Sequence, residues 1–184
     1  MKILGINTSP RPGSNVKIAL ETALEAAAAK GAETELINTN SMSIKACQAC
    51  NFCKANQGKC VNDDDMTQIY EKILEADAVI FGSPVYFIDI TAQAKLVIDR
   101  LYAFFMEETL KDTLSAKKLS FIVTNGTVPA EQIMPALDIQ TTGLSFLGFQ
   151  IVDKQVFGDN NDPEAIKENS EQLAIAKKIG ENLI

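Results

Sequence analysis

Short apolar runs alternate with helical patterns along the whole chain, and this alternation restricts the fold more than any other feature. The five apolar runs that read as strands are Ile3 to Ile6, Glu33 to Ile37, Ala78 to Gly82, Leu119 to Thr124 and Phe149 to Phe157. The helical patterns between and after them cover about Asn15 to Lys30, Met66 to Glu75, Thr91 to Phe105, Ala130 to Leu147 and Pro163 to Leu183. A strand–helix repeat of this kind builds a parallel sheet, because right-handed crossovers put the helices on its faces. The sequence therefore predicts an α/β fold with a five-stranded parallel sheet and helices on both faces.

The chain length predicts one domain. A chain of 184 residues is long enough for one full hydrophobic core. No internal repeat, low-complexity tract or interdomain linker interrupts it. We therefore expect a single domain over residues 1–184, with a cysteine-rich loop inserted at about residues 39–64, too polar for a strand or a helix.

Charge and residue usage exclude several classes of function. The formal net charge of -7 disfavours binding to nucleic acid or to an anionic membrane surface. Neither a signal peptide nor a membrane-spanning apolar run is visible, so a cytoplasmic location is expected. The chain has no histidine, which excludes Ser-His-Asp hydrolysis, Cys-His proteolysis and a histidine-ligated metal.

The loop after the first predicted strand is a candidate phosphate site. It reads Ser9-Pro10-Arg11-Pro12-Gly13-Ser14-Asn15 and leads directly into a helix. Its hydroxyl, amide and guanidinium groups can donate to phosphate oxygens, its glycine permits close approach, and the helix start adds free N–H groups. An ordinary helix cap would use the same serine and asparagine. The position of the loop at the carboxyl end of a strand favours the anion site.

Other phosphate-binding motifs are absent from the expected positions. The first strand is not followed by G-x-G-x-x-G, and no G-x-x-x-x-G-K-[ST] loop occurs. A Cys-x5-Arg phosphatase loop is also missing. The third strand ends in Gly82-Ser83-Pro84 rather than in a phospho-acceptor aspartate. A mononucleotide phosphate is the remaining interpretation.

A second loop at the same end of the sheet could cover a flat ring. After the third strand, Pro84, Val85, Tyr86 and Phe87 form an apolar and aromatic patch. Such a patch suits a redox-active ring, although an aromatic pair more often packs against the next helix. The loop after the fourth strand adds Asn125 and Gly126. Arg100, the only other arginine besides Arg11, is either a further ligand at this rim or the partner of a carboxylate.

These motifs together resemble the NADPH-dependent FMN reductase family of flavodoxin-like proteins. The stretches T-S-P-R-P-G-S-N, G-S-P-V-Y and A-Q-A-K-L-V-I-D-R carry the resemblance, which extends over nearly the whole chain. It implies a flavodoxin-like three-layer sandwich with strand order 2-1-3-4-5 and bound FMN. The implied cofactor-binding residues are those of the phosphate loop, the ring loop and the fourth strand end: Ser9, Arg11, Gly13, Ser14, Asn15, Pro84, Val85, Tyr86, Phe87, Asn125 and Gly126.

The four cysteines form the most specific local pattern. Cys47, Cys50, Cys53 and Cys60 have the spacing C-x2-C-x2-C-x6-C. Three thiols at gaps of three, with a fourth nearby, suit a [4Fe-4S] cluster better than structural zinc, which prefers two separated C-x2-C pairs. The pattern is similar to that of the iron-sulfur flavoprotein branch of the same group. That resemblance implies four thiolate ligands beside FMN in a homodimer or homotetramer, with free thiols as the next alternative.

The function expected from these features is electron transfer through a flavin. The chain resembles an NAD(P)H-dependent FMN or quinone reductase, with a small molecule or a ferredoxin-type protein as its electron partner. No side chain is an obvious catalytic acid or base. A non-catalytic electron carrier and a redox-sensing module remain alternatives. The apolar helix from Thr91 to Phe105 is either core or part of a subunit interface.

Overall fold

The computed structural model describes residues 1–184. It contains six strands: β1 (Lys2–Asn7), β2 (Glu33–Asn38), β3 (Ala78–Tyr86), β4 (Asp89–Ile90), β5 (Lys118–Thr124) and β6 (Gln150–Phe157). The α-helices are α1 (Asn15–Ala29), α2 (Met66–Glu75), α3 (Ala92–Arg100), α4 (Glu108–Ser115), α5 (Ala130–Ser145) and α6 (Ser170–Asn182). Short 3₁₀ helices occur at Thr39–Ser41, Phe52–Ala55, Leu101–Ala103 and Ala165–Glu168.

The sheet has the predicted topology. Its order is β2-β1-β3-β5-β6, and all four neighbouring pairs on this path are parallel. The five long strands therefore follow the expected order 2-1-3-4-5. The short β4 is an addition, since it pairs antiparallel with the end of β3. The flavodoxin-like fold is confirmed.

Helices cover both faces of the sheet because the side chains of each strand alternate between two cores. In β3, Val79 and Phe81 belong to the larger core, which α2, α3 and α5 cover, whereas Ile80 belongs to the smaller core under α1 and α6. At Gly82 a Cβ would lie 2.7 Å from the side chains of Val16 and Leu20, so α1 packs directly on this point of the sheet. None of the helices is long and apolar enough to cross a bilayer.

Three predicted elements differ from the sequence-based expectation. The last helix, predicted from Pro163, begins at Ser170 after the 3₁₀ turn Ala165–Glu168, because Asn169 caps it by accepting from the Gln172 N–H. The segment predicted as a loop after Gly82 continues as strand, because Ser83 and Pro84 stay in register with β5 and Val85 pairs with Ile90. The helix predicted to reach Phe105 ends at Arg100, where a 3₁₀ turn begins.

The helix α4 follows and was not predicted. Its eight residues carry a single apolar i, i+4 pair, Leu110 and Leu114, which is too short a pattern to identify a helix.

Candidate cofactor sites

A polar cavity of about 140 Å³ lies at the carboxyl ends of β1, β3, β5 and β6. This is the edge of the sheet where parallel α/β folds bind ligands. The predicted residues that line it are Ser9, Arg11, Ser14, Asn15, Pro84, Val85, Tyr86, Asn125 and Gly126. Three strand ends and one helix start therefore bring most of the predicted cofactor residues together. Gly13 and Phe87 do not line the cavity.

The phosphate loop has donors that no other protein group uses. Ser14 is the N-cap of α1, and its Oγ accepts a hydrogen bond from the Lys17 N–H at 3.2 Å. The first turn of α1 carries no acidic residue of its own. Glu164, from the loop after β6, places a carboxylate oxygen 3.3 Å from where a Cβ of Gly13 would lie. The guanidinium of Arg11 is exposed and has no ion-pair partner within 4.0 Å. These groups fit a phosphate better than a plain cap, which would leave no role for the free arginine.

Asn15 has a different relation to the cavity from that of its neighbours. Its Nδ2 donates to the carbonyl oxygens of Asn160 and Asp162, and its Oδ1 accepts from the Ile166 N–H. The amide thus holds the loop between β6 and α6 against the start of α1. With these contacts in place, its contribution to the site is to fix the part of the wall that Asn160 and its neighbours form.

Asn125 is a buried amide without protein partners. It follows β5 directly, its residue is 5% exposed, and neither Nδ2 nor Oδ1 has a hydrogen-bond partner. Buried amides are almost always paired, because an unmade hydrogen bond costs about 1–3 kcal/mol. Since Asn125 lines the cavity, its donor and acceptor fit a ligand with both kinds of group, such as the polar edge of a flavin or its ribityl chain.

The loop after β6 supplies part of the site that the sequence interpretation missed. Thr124, Asn160, Asn161 and Pro163 line the same cavity. Asn161 packs so closely on Gly126 that a Cβ there would lie 2.1 Å from its Oδ1. The available signal was the run from Gly158 to Pro163, whose turn residues follow directly on the last predicted strand.

The two aromatic residues of the second loop are placed differently. Tyr86 lines the cavity and is 44% exposed. Phe87 is fully exposed at the two-residue turn between β3 and β4, where Phe87 and Ile88 have φ values of 50° and 65°. Positive φ at both positions is what a tight hairpin of this length requires. Contact between Phe87 and a flavin ring therefore stays a prediction.

The four cysteines line a second, small cavity formed by the loop between β2 and α2. The cavity measures about 20 Å³ and is shared by Cys47, Cys50, Cys53 and Cys60, together with Arg100. All four cysteines are free thiols; Cys53 is buried, whereas Cys47 and Cys50 are exposed. Nowhere in the chain do three or more Cys, Asp or Glu side chains lie close enough together to form a metal-ligand set. The donor chemistry suits a cluster, and the loop holds the thiols around one space without bringing them into contact distance.

Arg100 lies at the cysteine cavity and pairs with a carboxylate, which was one of the two roles open for it. Its Nη atoms donate to both carboxylate oxygens of Asp64 at 2.7 and 3.1 Å, and both side chains are almost fully buried. Burial alone would raise the pKa of Asp64, but hydrogen bonds from Arg100 and from the Lys45 N–H hold it below its ordinary value. The hydroxyl of Tyr70 donates to the Arg100 carbonyl oxygen, and burial raises the pKa of Tyr70 to about 12.

Comparison with known proteins shows the family and agrees with the fold. The sequence profile of the NADPH-dependent FMN reductase family matches residues 1–164. An iron-sulfur flavoprotein of Archaeoglobus fulgidus is 32% identical over 183 residues, which cover 98% of this chain and 80% of that protein. An iron-sulfur flavoprotein of Methanocaldococcus jannaschii is 45% identical over 100 residues, or 54% of this chain and 51% of that protein. The chain thus aligns with only about half the length of this second relative.

Among solved structures, an NAD(P)H:quinone oxidoreductase from Methanothermobacter marburgensis superposes with a TM-score of 0.77. The superposition covers 100% of this chain and 99% of that one, at 18% identity. At this identity the similarity concerns the fold.

Proposed function

The chain belongs to the NADPH-dependent FMN reductase family, and from this membership we propose that it is an FMN-dependent oxidoreductase that takes electrons from NAD(P)H. The family consists of FMN-dependent oxidoreductases. The proposal for this chain is that FMN occupies the cavity at the carboxyl ends of β1, β3, β5 and β6. Its electron acceptor is proposed to be a small molecule of the flavin or quinone class.

The observation that carries the proposal is a pair of unused polar groups in one cavity. Arg11 offers an unpaired guanidinium at the start of α1, and Asn125 offers a buried amide with neither donor nor acceptor engaged. A ligand with an anionic end and a hydrogen-bonding polar part would satisfy both. FMN has these two features, with its phosphate at one end and its ribityl chain and pyrimidine edge at the other.

The chain's own residues would bind and orient the cofactor. Arg11, the Ser14 hydroxyl and the first N–H groups of α1 would bind the phosphate. Asn125 would hydrogen-bond the polar part, and Tyr86 with Val85 would cover one side of the ring. When bound, FMN supplies the chemistry of accepting a hydride from a nicotinamide and passing electrons on. This proposal assigns no proton-transfer role to a side chain.

The direct test is binding followed by turnover. Titration of the flavin-free protein with FMN should quench flavin fluorescence with one site per chain. The loaded protein should then oxidise NADPH or NADH in the presence of a quinone, free FMN or ferricyanide. Protein that fails to bind FMN would refute the proposal. Protein that binds FMN but oxidises neither nucleotide would instead be an electron carrier.

We propose a second cofactor, a [4Fe-4S] cluster held by Cys47, Cys50, Cys53 and Cys60. Support comes from the shared cavity of the four thiols and from the relatives named iron-sulfur flavoproteins. The four thiols do not form a metal-ligand set in this structure, so the loop would have to rearrange when the cluster binds. Iron and acid-labile sulfide, counted per chain in anaerobically purified protein, should each approach four. Flavin without iron and sulfide would refute the cluster and leave the flavin proposal intact.

A further inference from the structure

A buried ion pair joins the two ends of the cysteine loop to α3, beside the hydrogen bonds that link Ser43 and Asp65 directly. The loop enters at Ser43 and leaves at Asp65. Near the entrance, the Lys45 carbonyl oxygen accepts a hydrogen bond from Arg100 Nη1 at 2.9 Å, and the Lys45 N–H donates to Asp64 at 2.9 Å. Asp64, near the exit, accepts from both Nη atoms of Arg100. Arg100 and Asp64 therefore join both ends of the loop to α3.

One nitrogen of the Arg100 guanidinium has no hydrogen-bond partner at all. The side chain is 1% exposed, its Nη atoms are engaged by Asp64 and Lys45, and its Nε has no hydrogen-bond partner. It shares a cavity with the four cysteines and is the only lysine, arginine, aspartate or glutamate that lines it. A buried guanidinium with an unused N–H is costly unless a partner arrives. Thiolates bound to a metal are partners of this kind, since they are anionic and accept hydrogen bonds.

Charge points in the same direction. Four thiolates around a cluster carry net negative charge, and at the buried Cys53 that charge is disfavoured unless a cation lies close by. Lys54 does not meet this need, because its ammonium donates to the carbonyl oxygens of Tyr102 and Phe105 and lies 4.2 Å from the centre of the Tyr102 ring. Arg100 is the one buried cation that lines the cavity.

We propose that Arg100 is a positioning residue of the four-cysteine site. Together with Asp64 it holds both ends of the loop, and its free Nε–H donates a hydrogen bond to a thiolate sulfur once the site is loaded. This inference rests on the proposed cluster, but it concerns a residue outside the cysteine motif. It also makes a prediction for the protein without metal, because the loop is held before loading.

The test uses Arg100→Lys and Arg100→Gln, with Lys95→Gln as the matched control. Lys95 lies on the same helix, and its pair with Asp99 is exposed, so the control removes a cation without touching the loop. In metal-free protein, tryptic cleavage at Lys54 and Lys59 should be at least about tenfold faster in Arg100→Gln than in wild type. Arg100→Lys keeps a charge beside Asp64 and should remain folded, as retained FMN binding would show.

Two further measurements separate positioning from mere folding. Anaerobic titration of the metal-free protein with Co²⁺, followed by the thiolate-to-cobalt absorption, should show affinity lowered about 10- to 100-fold in both Arg100 variants. The cluster's reduction potential in reconstituted protein should become more negative in both variants, because each loses the Nε–H donor. Lys95→Gln should match wild type in all three measurements.

The outcomes distinguish this inference from the cluster proposal. Wild-type protein that binds neither iron and sulfide nor Co²⁺ refutes the cluster, and the assignment of the Nε–H falls with it. Wild-type protein that carries the cluster, with variants of unchanged Co²⁺ affinity and potential, refutes the role of Arg100 alone, even if the loop is cleaved faster.

Discussion

The two candidate cofactor sites are built in opposite ways. The flavin cavity lies where parallel strands end. Its walls are residues at, or just after, the ends of β1, β3, β5 and β6. Hydrogen bonds within the fold fix this edge: the Thr8 hydroxyl donates to the Gly82 carbonyl oxygen, and the Thr91 hydroxyl to that of Thr8. The cysteine site lies in a loop whose only regular elements are the 3₁₀ turns Thr39–Ser41 and Phe52–Ala55. Residues with positive φ, such as Asn51 and Gln57, flank the second turn.

The difference shows how each site depends on the rest of the chain. The flavin cavity is shaped by the sheet, so single side chains in it can change affinity without changing the fold. The cysteine loop is attached through a few side chains, of which the Arg100–Asp64 pair joins positions 36 residues apart. Substitutions in the pair should therefore change both the stability of the protein and the binding of the cluster. Substitutions in the flavin cavity should change FMN affinity and leave the fold unchanged.

The largest effect is expected from Asp64→Ala. The substitution leaves the buried guanidinium of Arg100 without its carboxylate and removes the acceptor of the Lys45 N–H. Removing one partner of a buried pair costs about 3–5 kcal/mol in the free energy of unfolding. Urea denaturation of the FMN-loaded protein measures it. Asp99→Ala is the control. Asp99 lies on α3 beside Arg100, and its loss removes an exposed pair, which should cost about 1 kcal/mol or less. A loss below 1 kcal/mol for Asp64→Ala would show that the loop is held by other contacts.

The Asp64–Arg100 pair also predicts how the stability lost in Asp64→Ala depends on pH. The folded-state pKa of Asp64 lies below its ordinary value of 3.8, so its contribution to stability is complete above that pH. It is lost as the pH falls through the lower, folded-state pKa. The difference in unfolding free energy between wild type and Asp64→Ala should therefore be constant above about pH 5 and shrink in more acidic buffer. A difference that grows on acidification would contradict this assignment.

The next effect is on the flavin side, where Arg11→Ala should weaken FMN binding and leave the fold unchanged. A hydrogen bond to a charged group contributes about 1.5–3 kcal/mol, so the dissociation constant should rise about 10- to 100-fold. Fluorescence titration measures it. Lys17→Ala is the control, because Lys17 lies in the first turn of α1, just after the loop that holds Arg11, and pairs with Glu21. Equal losses in the two variants would indicate a general charge effect rather than a phosphate contact.

Asn125→Ala should separate binding from stability even more sharply. The amide has no protein partner to lose, so flavin-free protein should be as stable as wild type or up to about 1 kcal/mol more stable. FMN affinity should nevertheless fall about tenfold, because the ligand loses a buried hydrogen-bonding group. Ser120→Ala is the control: its Oγ is also buried without a partner, but Ser120 does not line the cavity. Reduced stability of flavin-free Asn125→Ala would mean that the amide is already paired.

The contrast between the two regions also explains what could be predicted from the sequence. Apolar runs and caps are local signals, so the parallel sheet and the start of α1 followed from them, whereas the strand order was expected from the family resemblance. Ser14, for example, is the N-cap that its position before the helix suggested. Asn160 and Asn161 were missed because the sequence of a polar turn after a strand does not indicate whether the turn lines the cofactor cavity.

The partner of Arg100 was open for a similar reason. The chain has many acidic residues, and the one that pairs with Arg100 depends on how the loop folds over α3. The spacing of residues along the chain does not indicate this fold. The same holds for the cysteines: their spacing indicates a ligand set, whereas the cavity that they share arises from contacts with Arg100 and Tyr102.

The smallest effect is expected from Phe87→Gly, at the one predicted ring residue that lies beyond the cavity. Phe87 is fully exposed and has a φ of 50°, which glycine adopts without strain. Relief of that strain and the greater freedom of glycine in the unfolded chain act in opposite directions, so stability should change by no more than about 0.5 kcal/mol. If only the strand ends build the flavin site, FMN affinity should also change by less than about threefold, whereas Tyr86→Ser should lower it more. A loss of about tenfold in Phe87→Gly would instead mean that the hairpin turns inward when the flavin binds, and that the ring contact expected from the sequence forms only in the complex.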